Sequence, residues 1–147
     1  GTSSEIVNFG NVPTVTIANN VLSSSTVSQD SQIPNPFPAA VQLGSSELIT
    51  DGVIRASSDV FAPLDQLQIY PASPTGINPS TSATYIYSDG SQLGTFGLAE
   101  GWYDINNPFS GLKNTDEIPA GAALVVRRST GADELISWSP ATPYTLD

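Results

Sequence analysis

The clearest sign of the fold is the stretch Ile118-Pro119-Ala120-Gly121-Ala122-Ala123-Leu124-Val125-Val126-Arg127-Arg128. Residues 119–121 have the composition of a tight turn, because proline fixes its backbone and glycine accepts a left-handed conformation. Residues 123–128 contain the apolar and β-branched side chains of a well-paired strand. A turn followed at once by such a strand is typical of an antiparallel sheet.

The rest of the chain repeats this pattern of short apolar segments between turn residues. Strands are predicted at residues 5–9, 13–21, 51–56, 66–70, 83–88, 95–98, 102–105, 123–128 and 134–139. Helical spacing of apolar residues is missing almost everywhere, and proline and glycine are too frequent for a long helix. The prediction is an all-β protein, an antiparallel β-sandwich or partly closed barrel with an extended N-terminal strand or arm.

A polar, serine-rich stretch divides the 147 residues into three predicted regions. Residues 1–22 form an N-terminal arm and candidate donor strand, residues 23–32 a linker, and residues 33–147 a β-domain of ordinary size.

Charge and the length of apolar runs exclude two classes of partner. Only 12% of the residues are charged, the formal net charge is −10, and the only cations are Arg55, Lys113, Arg127 and Arg128. Such a chain has little with which to bind a phosphate backbone, so nucleic acid is excluded as a partner. Apolar runs are too short to cross a bilayer, so membrane insertion is not expected.

Composition also predicts export. Serine, threonine, asparagine, glycine and proline make up most of the polar share. The chain begins Gly1-Thr2-Ser3-Ser4, small residues of the kind that remain after removal of a signal peptide, although a trimmed expression tag would leave a similar end. We therefore expect a secreted protein, extracellular or on the cell surface. Without cysteine, its stability must come from packing and hydrogen bonds alone.

The absence of histidine and cysteine limits the kinds of active site and metal site that the chain can form. A Ser-His-Asp triad, a Cys-His pair and a thiolate zinc site are all excluded. A carboxylate hydrolase would need only two acidic groups, and eight lie near predicted strand ends: Asp51, Asp59, Asp65, Asp89, Glu100, Asp104, Asp116 and Glu117. Acidic loop residues are usually solubilising groups, so no enzyme activity and no cofactor are predicted.

Three smaller features each have an ordinary explanation beside a functional one. Asp104, Asn106 and Asp116 are weak calcium candidates, but side-chain turns favour the same residues, and no metal is predicted. Trp102, Tyr103 and Tyr85 could form a glycan-binding platform or pack in the core. The adjacent arginines of the 123–128 strand are expected to pair with carboxylates rather than with an anionic ligand.

The N-terminal arm has two interpretations. It is either the first strand of the domain's own sheet or a donor strand that completes a neighbouring subunit. The second interpretation makes its apolar residues the assembly site: Ile6, Val7, Phe9, Val12, Val15, Ile17 and Val21.

The C-terminal half resembles an uncharacterised family of exported bacterial β-proteins found in Verrucomicrobia-type genomes. The matching segments are Gln68-Ile69-Tyr70, Thr75-Gly76-Ile77-Asn78, Ala83-Thr84-Tyr85-Ile86-Tyr87, Gly101-Trp102-Tyr103 and the Ile-Pro-Ala-Gly…Val-Val-Arg-Arg motif at 118–128. The resemblance implies a secreted or cell-surface β-protein and supplies no catalytic residues.

Together these observations predict a non-enzymatic structural subunit of an extracellular filament or surface assembly, a self-assembling homopolymer joined by N-terminal strand addition. The alternative is an extracellular glycan-binding module that uses its aromatic residues and perhaps calcium. A carboxylate hydrolase is third.

Overall fold

The computed structural model describes residues 19–71 and 83–139. That part of the chain is built mainly from antiparallel strands: β1 (Asn19–Ser23), β2 (Gln29–Pro34), β3 (Val41–Gln42), β4 (Asp65–Tyr70), β5 (Ala83–Ser88), β6 (Gly101–Asp104), β7 (Glu117–Ile118), β8 (Ala123–Arg128) and β9 (Glu134–Trp138). One short helix, α1 (Leu93–Phe96), and 3-10 turns at Leu43–Ser45 and Pro108–Ser110 complete it.

Three antiparallel sheets form sandwich-like layers. The main sheet has the strand order β2-β8-β4-β5-β6, while β1 pairs with β9 and β3 pairs with β7. Within the described residues the sheets do not close into a barrel. The all-β, antiparallel prediction is confirmed.

Alternating side chains of the central strands create the main core. Leu124 and Val126 of β8 and Leu67 and Ile69 of β4 are buried on one face of the main sheet. Residues from the two small sheets, among them Trp138, complete the same cluster. Burying each large apolar side chain contributes about 1.5–3 kcal/mol, so this interface between layers dominates the stability of the fold.

A smaller cluster covers the opposite face at one end of the main sheet. Ile86 of β5 and Tyr103 of β6 pack there against Val60 and Leu98, which come from the loops before β4 and β6. These loops keep that end of the sheet from solvent.

Strand predictions succeeded where apolar alternation was strong. Residues 83–88 and 123–128 are strands with those bounds, and the predictions at 66–70, 102–105 and 134–139 are correct to within one residue at each end. Residues 5–9 and 13–18 lie outside the described residues.

Two strand predictions are wrong. At 51–56 the chain turns at Gly52, whose φ is +78°, and the amides of Val53 and Ile54 both donate to the Leu48 carbonyl. These two side chains enter the core from a loop rather than from a ladder. At 95–98, residues 95 and 96 are the end of α1, and Gly97, with φ +72°, caps the helix.

The predicted division into arm, linker and domain also changes. Residues 29–32, expected in the linker, belong to β2 and pair with β8. Val21, expected in the arm, is fully buried and pairs with Ile136. Polar residues are favourable in β2 because its outer positions face solvent. The β-domain therefore includes β1 and β2.

Candidate functional site

The predicted assembly residues are only partly within the described chain. Ile6, Val7, Phe9, Val12, Val15 and Ile17 lie outside it, so their role stays a prediction. Val21 is 0% exposed and belongs to the main core cluster. Its apolar side chain therefore stabilises its own domain.

One edge of β9 lacks a strand partner within residues 19–71 and 83–139. This strand pairs with β1 on one side, and no other strand of the described chain pairs with it on the other. Leu22 and Leu135, which are directly opposite each other in the β1–β9 ladder, are 51% and 59% exposed. An unpaired edge beside exposed apolar side chains is a surface on which another strand can pair.

The two edges of the main sheet differ from this one. At β6, the Lys113 amide donates to the Trp102 carbonyl at 2.8 Å, and the Asn114 side chain accepts from the Trp102 amide at 2.9 Å. At β2, the chain of β1 runs alongside, and the Leu22 amide donates to the Ser31 hydroxyl at 3.0 Å. A neighbouring segment thus uses backbone groups of the β6 edge, whereas β1 lies alongside the β2 edge and bonds to a side chain of that strand.

The predicted glycan-binding platform is wrong as a surface feature. Trp102, Tyr103 and Tyr85 are only 1%, 3% and 6% exposed, so their rings cannot stack on a sugar at the surface. The Tyr103 hydroxyl donates to the Ala99 carbonyl at 2.9 Å, and the Tyr85 hydroxyl donates to Asp116 at 2.8 Å. Core packing, the ordinary explanation, applies to all three.

An exposed aromatic surface exists elsewhere and was not predicted. The rings of Phe61, Phe96 and Phe109 lie 5.5 to 6.4 Å apart, and the side chains are 53%, 46% and 61% exposed. Exposed apolar groups of this kind often mark contacts with other molecules. Phe61 and Phe109 lie outside the predicted strands, and Phe109 is flanked by Pro108 and Ser110, which was the available signal. Phe96 gave no such signal, because it falls within the predicted strand at 95–98.

The calcium candidates have local hydrogen-bond partners. Asp104 accepts the Asn106 amide at 2.8 Å, which is a side-chain turn. Asp116 accepts the Tyr85 hydroxyl; burial, with this acidic partner, raises the pKa of Tyr85 well above its usual value. No cluster of three or more metal-ligating acidic side chains occurs in residues 19–71 and 83–139.

Both arginines of β8 pair with carboxylates, as predicted. Arg127 contacts Asp30 at 3.0 Å on the surface, and this hydrogen bond lowers the pKa of Asp30. Arg128 is 3% exposed and lies 3.5 Å from Asp65, which Arg55 also contacts at 2.7 Å. These groups bind one another and hold the fold together.

Other candidate carboxylates have structural partners as well. Asp51 accepts the Ser139 amide at 2.8 Å, Asp59 accepts the Phe61 amide at 2.9 Å, and Asp89 accepts the Ser91 amide at 2.8 Å. Each of these bonds fixes a turn or the end of a strand.

No known protein family, curated protein or solved structure matches the chain. The resemblance to exported bacterial β-proteins therefore stays a prediction. Within the described ranges, no helix is long and apolar enough to cross a membrane.

Proposed function

We propose that the protein is a non-enzymatic structural subunit of an extracellular assembly, in which the N-terminal segment of one copy adds a strand to the next. The acceptor is the open edge of β9, and this edge is the observation that carries the proposal. The donor is the apolar segment within residues 5–17.

The acceptor edge offers both hydrogen bonds and apolar contacts. A strand added beside β9 would satisfy backbone groups along Glu134–Trp138, with main-chain bonds giving affinity. It would also cover Leu135, which is 59% exposed. Covering the exposed part of this leucine would contribute about 1 kcal/mol.

The donor segment has a suitable composition. Glu5 is the only charged residue in positions 1–18, so the segment adds little to the repulsion between chains of net charge −10. Pro13 has no amide hydrogen and would interrupt a ladder, whereas residues 5–12 contain no proline. Thus 5–12 are the residues expected to pair.

Strand addition of this kind joins two different surfaces. Because donor and acceptor are not the same patch, the contact is head-to-tail and repeats from copy to copy. It yields a ring if the rotation closes and a filament if it does not. The exposed phenylalanine surface (Phe61, Phe96 and Phe109) is available for a second contact between neighbouring copies.

The test compares three variants with the complete chain by analytical ultracentrifugation and negative-stain electron microscopy. The first lacks residues 1–18; a longer deletion would remove β1 and its buried Val21. The second, Leu135→Lys, places a charge beside the open edge, a substitution that blocks strand pairing. Val27→Lys is the control, since Val27 is similarly exposed at 53% but lies in the β1–β2 turn.

We expect the complete chain and Val27→Lys to assemble as concentration rises, and the other two variants to remain monomeric. Assembly that survives the deletion would refute the donor role. A complete chain that stays monomeric at every concentration would refute the proposal as a whole.

A further inference from the structure

The phenylalanine surface extends into a larger apolar patch, formed by α1 and by the segments before β4 and after β6. The rings of Phe61, Phe96 and Phe109 contact one another, and two exposed leucines adjoin them. Leu93 is three positions before Phe96 in α1 and therefore lies on the same side of the helix. Leu112 lines a pocket together with Phe96 and Phe109. The five side chains thus form one patch.

The segments that carry this patch contain no charged residue. Residues 60–64, 91–99 and 105–112 lack aspartate, glutamate, lysine and arginine, although the chain has a formal net charge of −10. Asp59, just before the first of these segments, accepts the Phe61 amide at 2.9 Å, so its own loop holds this carboxylate. Loss of charge together with enrichment of aromatic residues is typical of the centre of a protein interface. A second copy can meet this patch without placing like charges in contact, although net charge opposes contact elsewhere.

A pocket of about 260 Å³ lies beside the rings, between the end of α1 and the segment after β6. Phe96 and Phe109 line it, whereas Phe61 lies next to it, with its ring centroid 5.5 Å from that of Phe96. Because a cavity of about 150 Å³ holds benzene, this pocket has room for a phenyl ring. A ring beside a pocket that fits a ring is self-complementary, as a twofold contact between identical copies requires.

The exposed area determines how strong such a contact is. The five side chains are each about half exposed and together present roughly 400–500 Å² of apolar surface per copy. Two copies would bury roughly 800–1,000 Å² in all, which is at the lower limit for a specific interface. One contact alone is therefore weak. Repetition along a filament makes it effective, because every contact after the first forms at a high effective concentration.

We infer that the phenylalanine surface pairs with the same surface on a copy in a second filament, and so joins filaments side by side. The Phe61 ring of each copy enters the pocket of the other, next to Phe96 and Phe109. The pairing rests on the proposed strand addition, because the filament supplies the repeat. A chain that cannot add strands stays monomeric, since the single contact is too weak to hold two copies together.

Negative-stain electron microscopy and sedimentation velocity of the complete chain test the pairing. Filaments of the complete chain are expected in pairs, with about twofold the width of a single filament. Phe61→Lys and Phe109→Lys are expected to form single filaments, because the contact would bury an unpaired ammonium group. Val27→Lys is the matched control and should keep the pairs, since Val27 and Phe61 are both 53% exposed and the change adds the same charge. Circular dichroism and thermal unfolding verify that each variant is folded.

The outcomes separate failure of the pairing from failure of strand addition. Single filaments of the complete chain would overturn the pairing and leave strand addition intact, whereas a complete chain that stays monomeric would overturn both. Paired filaments in both lysine variants would overturn the pairing, and so would lysine variants that remain monomeric, because the surface would then belong to the head-to-tail contact.

Two further measurements identify what covers the surface. The pairs should persist at about 0.5 M sodium chloride, because salt screens the repulsion between chains and leaves an apolar contact intact; separation of the pairs would overturn the apolar contact. Co-sedimentation of the complete chain with phosphatidylcholine vesicles that is lost in Phe61→Lys, together with single filaments, would assign a lipid surface as the occupant and overturn the pairing.

Discussion

Removing the carboxylate of Asp65 should destabilise the protein far more than removing any surface charge. Its side chain is 0% exposed and accepts three hydrogen bonds from Arg55, at 2.7 to 3.0 Å, and one from the Ser129 amide at 3.2 Å. Arg128 lies 3.5 Å away. The carboxylate thus joins β4, the end of β8 and the loop before β4.

The expected magnitude follows from the burial of Arg128. This guanidinium is 3% exposed, donates to the Gly52 and Val53 carbonyls at 2.8 and 2.7 Å, and has no acceptor for its Nε in the described chain. Burial lowers its pKa, and the negative charge of Asp65 opposes that effect. Asp65→Asn keeps the size of the side chain but leaves this cation unpaired, which costs about 3–5 kcal/mol.

The second ion pair is a matched control. Arg127 and Asp30 lie in register on β8 and β2 and also form two hydrogen bonds, at 3.0 and 3.1 Å. However, their side chains are 49% and 48% exposed, so Asp30→Asn should cost only about 0.2–1 kcal/mol. The two substitutions make the same chemical change in different surroundings.

Urea unfolding monitored by circular dichroism measures both. We expect the midpoint for Asp65→Asn to fall by several times the shift for Asp30→Asn, with similar slopes. Equal shifts, or a loss below about 1 kcal/mol at Asp65, would refute the argument that burial makes this pair essential.

Three further predictions concern pH and single substitutions. Because the chain has no histidine or cysteine, its urea midpoint should be nearly constant between about pH 5 and pH 9. The midpoint should fall below about pH 4, because protonation of Asp30, whose pKa is lowered in the folded state, removes its ion pair. It should also fall above about pH 10, because the pKa of Tyr85 is raised in the folded state and unfolding then releases a proton. A decline centred near pH 6.5 would contradict this. Tyr85→Phe removes the hydrogen bond from the Tyr85 hydroxyl to Asp116 and should lower the free energy of unfolding by about 1 kcal/mol in the same assay. The loss stays this small because Asp116 is only partly buried and regains a hydrogen bond from water. No loss would show that the bond is not formed in solution. Gly101→Ala should cost about 2 kcal/mol, because φ at this residue is +145°, a conformation that residues other than glycine rarely adopt. Gly94→Ala in α1, where a Cβ would have no atom within 4 Å, should be neutral or stabilising. Equal effects of the two substitutions would refute the argument from backbone conformation.

Local sequence was sufficient to predict a strand and its bounds where the strand is apolar and flanked by turn residues. β5 and β8 are of this kind, and their bounds were predicted to the residue. Residues 51–56 have a similar composition, but two of their amides share one carbonyl and the side chains reach the core from a loop. Tertiary packing determined the conformation of residues 51–56, and no local sequence pattern indicates such packing.

The candidate surfaces depend on long-range order and were harder to predict. Trp102 is buried because a segment that follows β6 covers this strand. The outer edge of β9 is unpaired in the described chain because no third strand joins the β1–β9 sheet. Polarity alone misassigned residues 29–32, since a strand whose outer positions face solvent can resemble a linker. The pairing of Arg127 and Arg128 was predictable because each buried or interacting guanidinium needs an anion.

Hydrogen exchange of the β9 amides in the complete chain, measured as a function of protein concentration, tests strand addition most directly. We predict that amides within Glu134–Trp138 exchange more slowly as concentration rises, and that removal of residues 1–18 abolishes this dependence. Exchange at β9 that is independent of concentration in the complete chain would mean that no neighbouring copy pairs there.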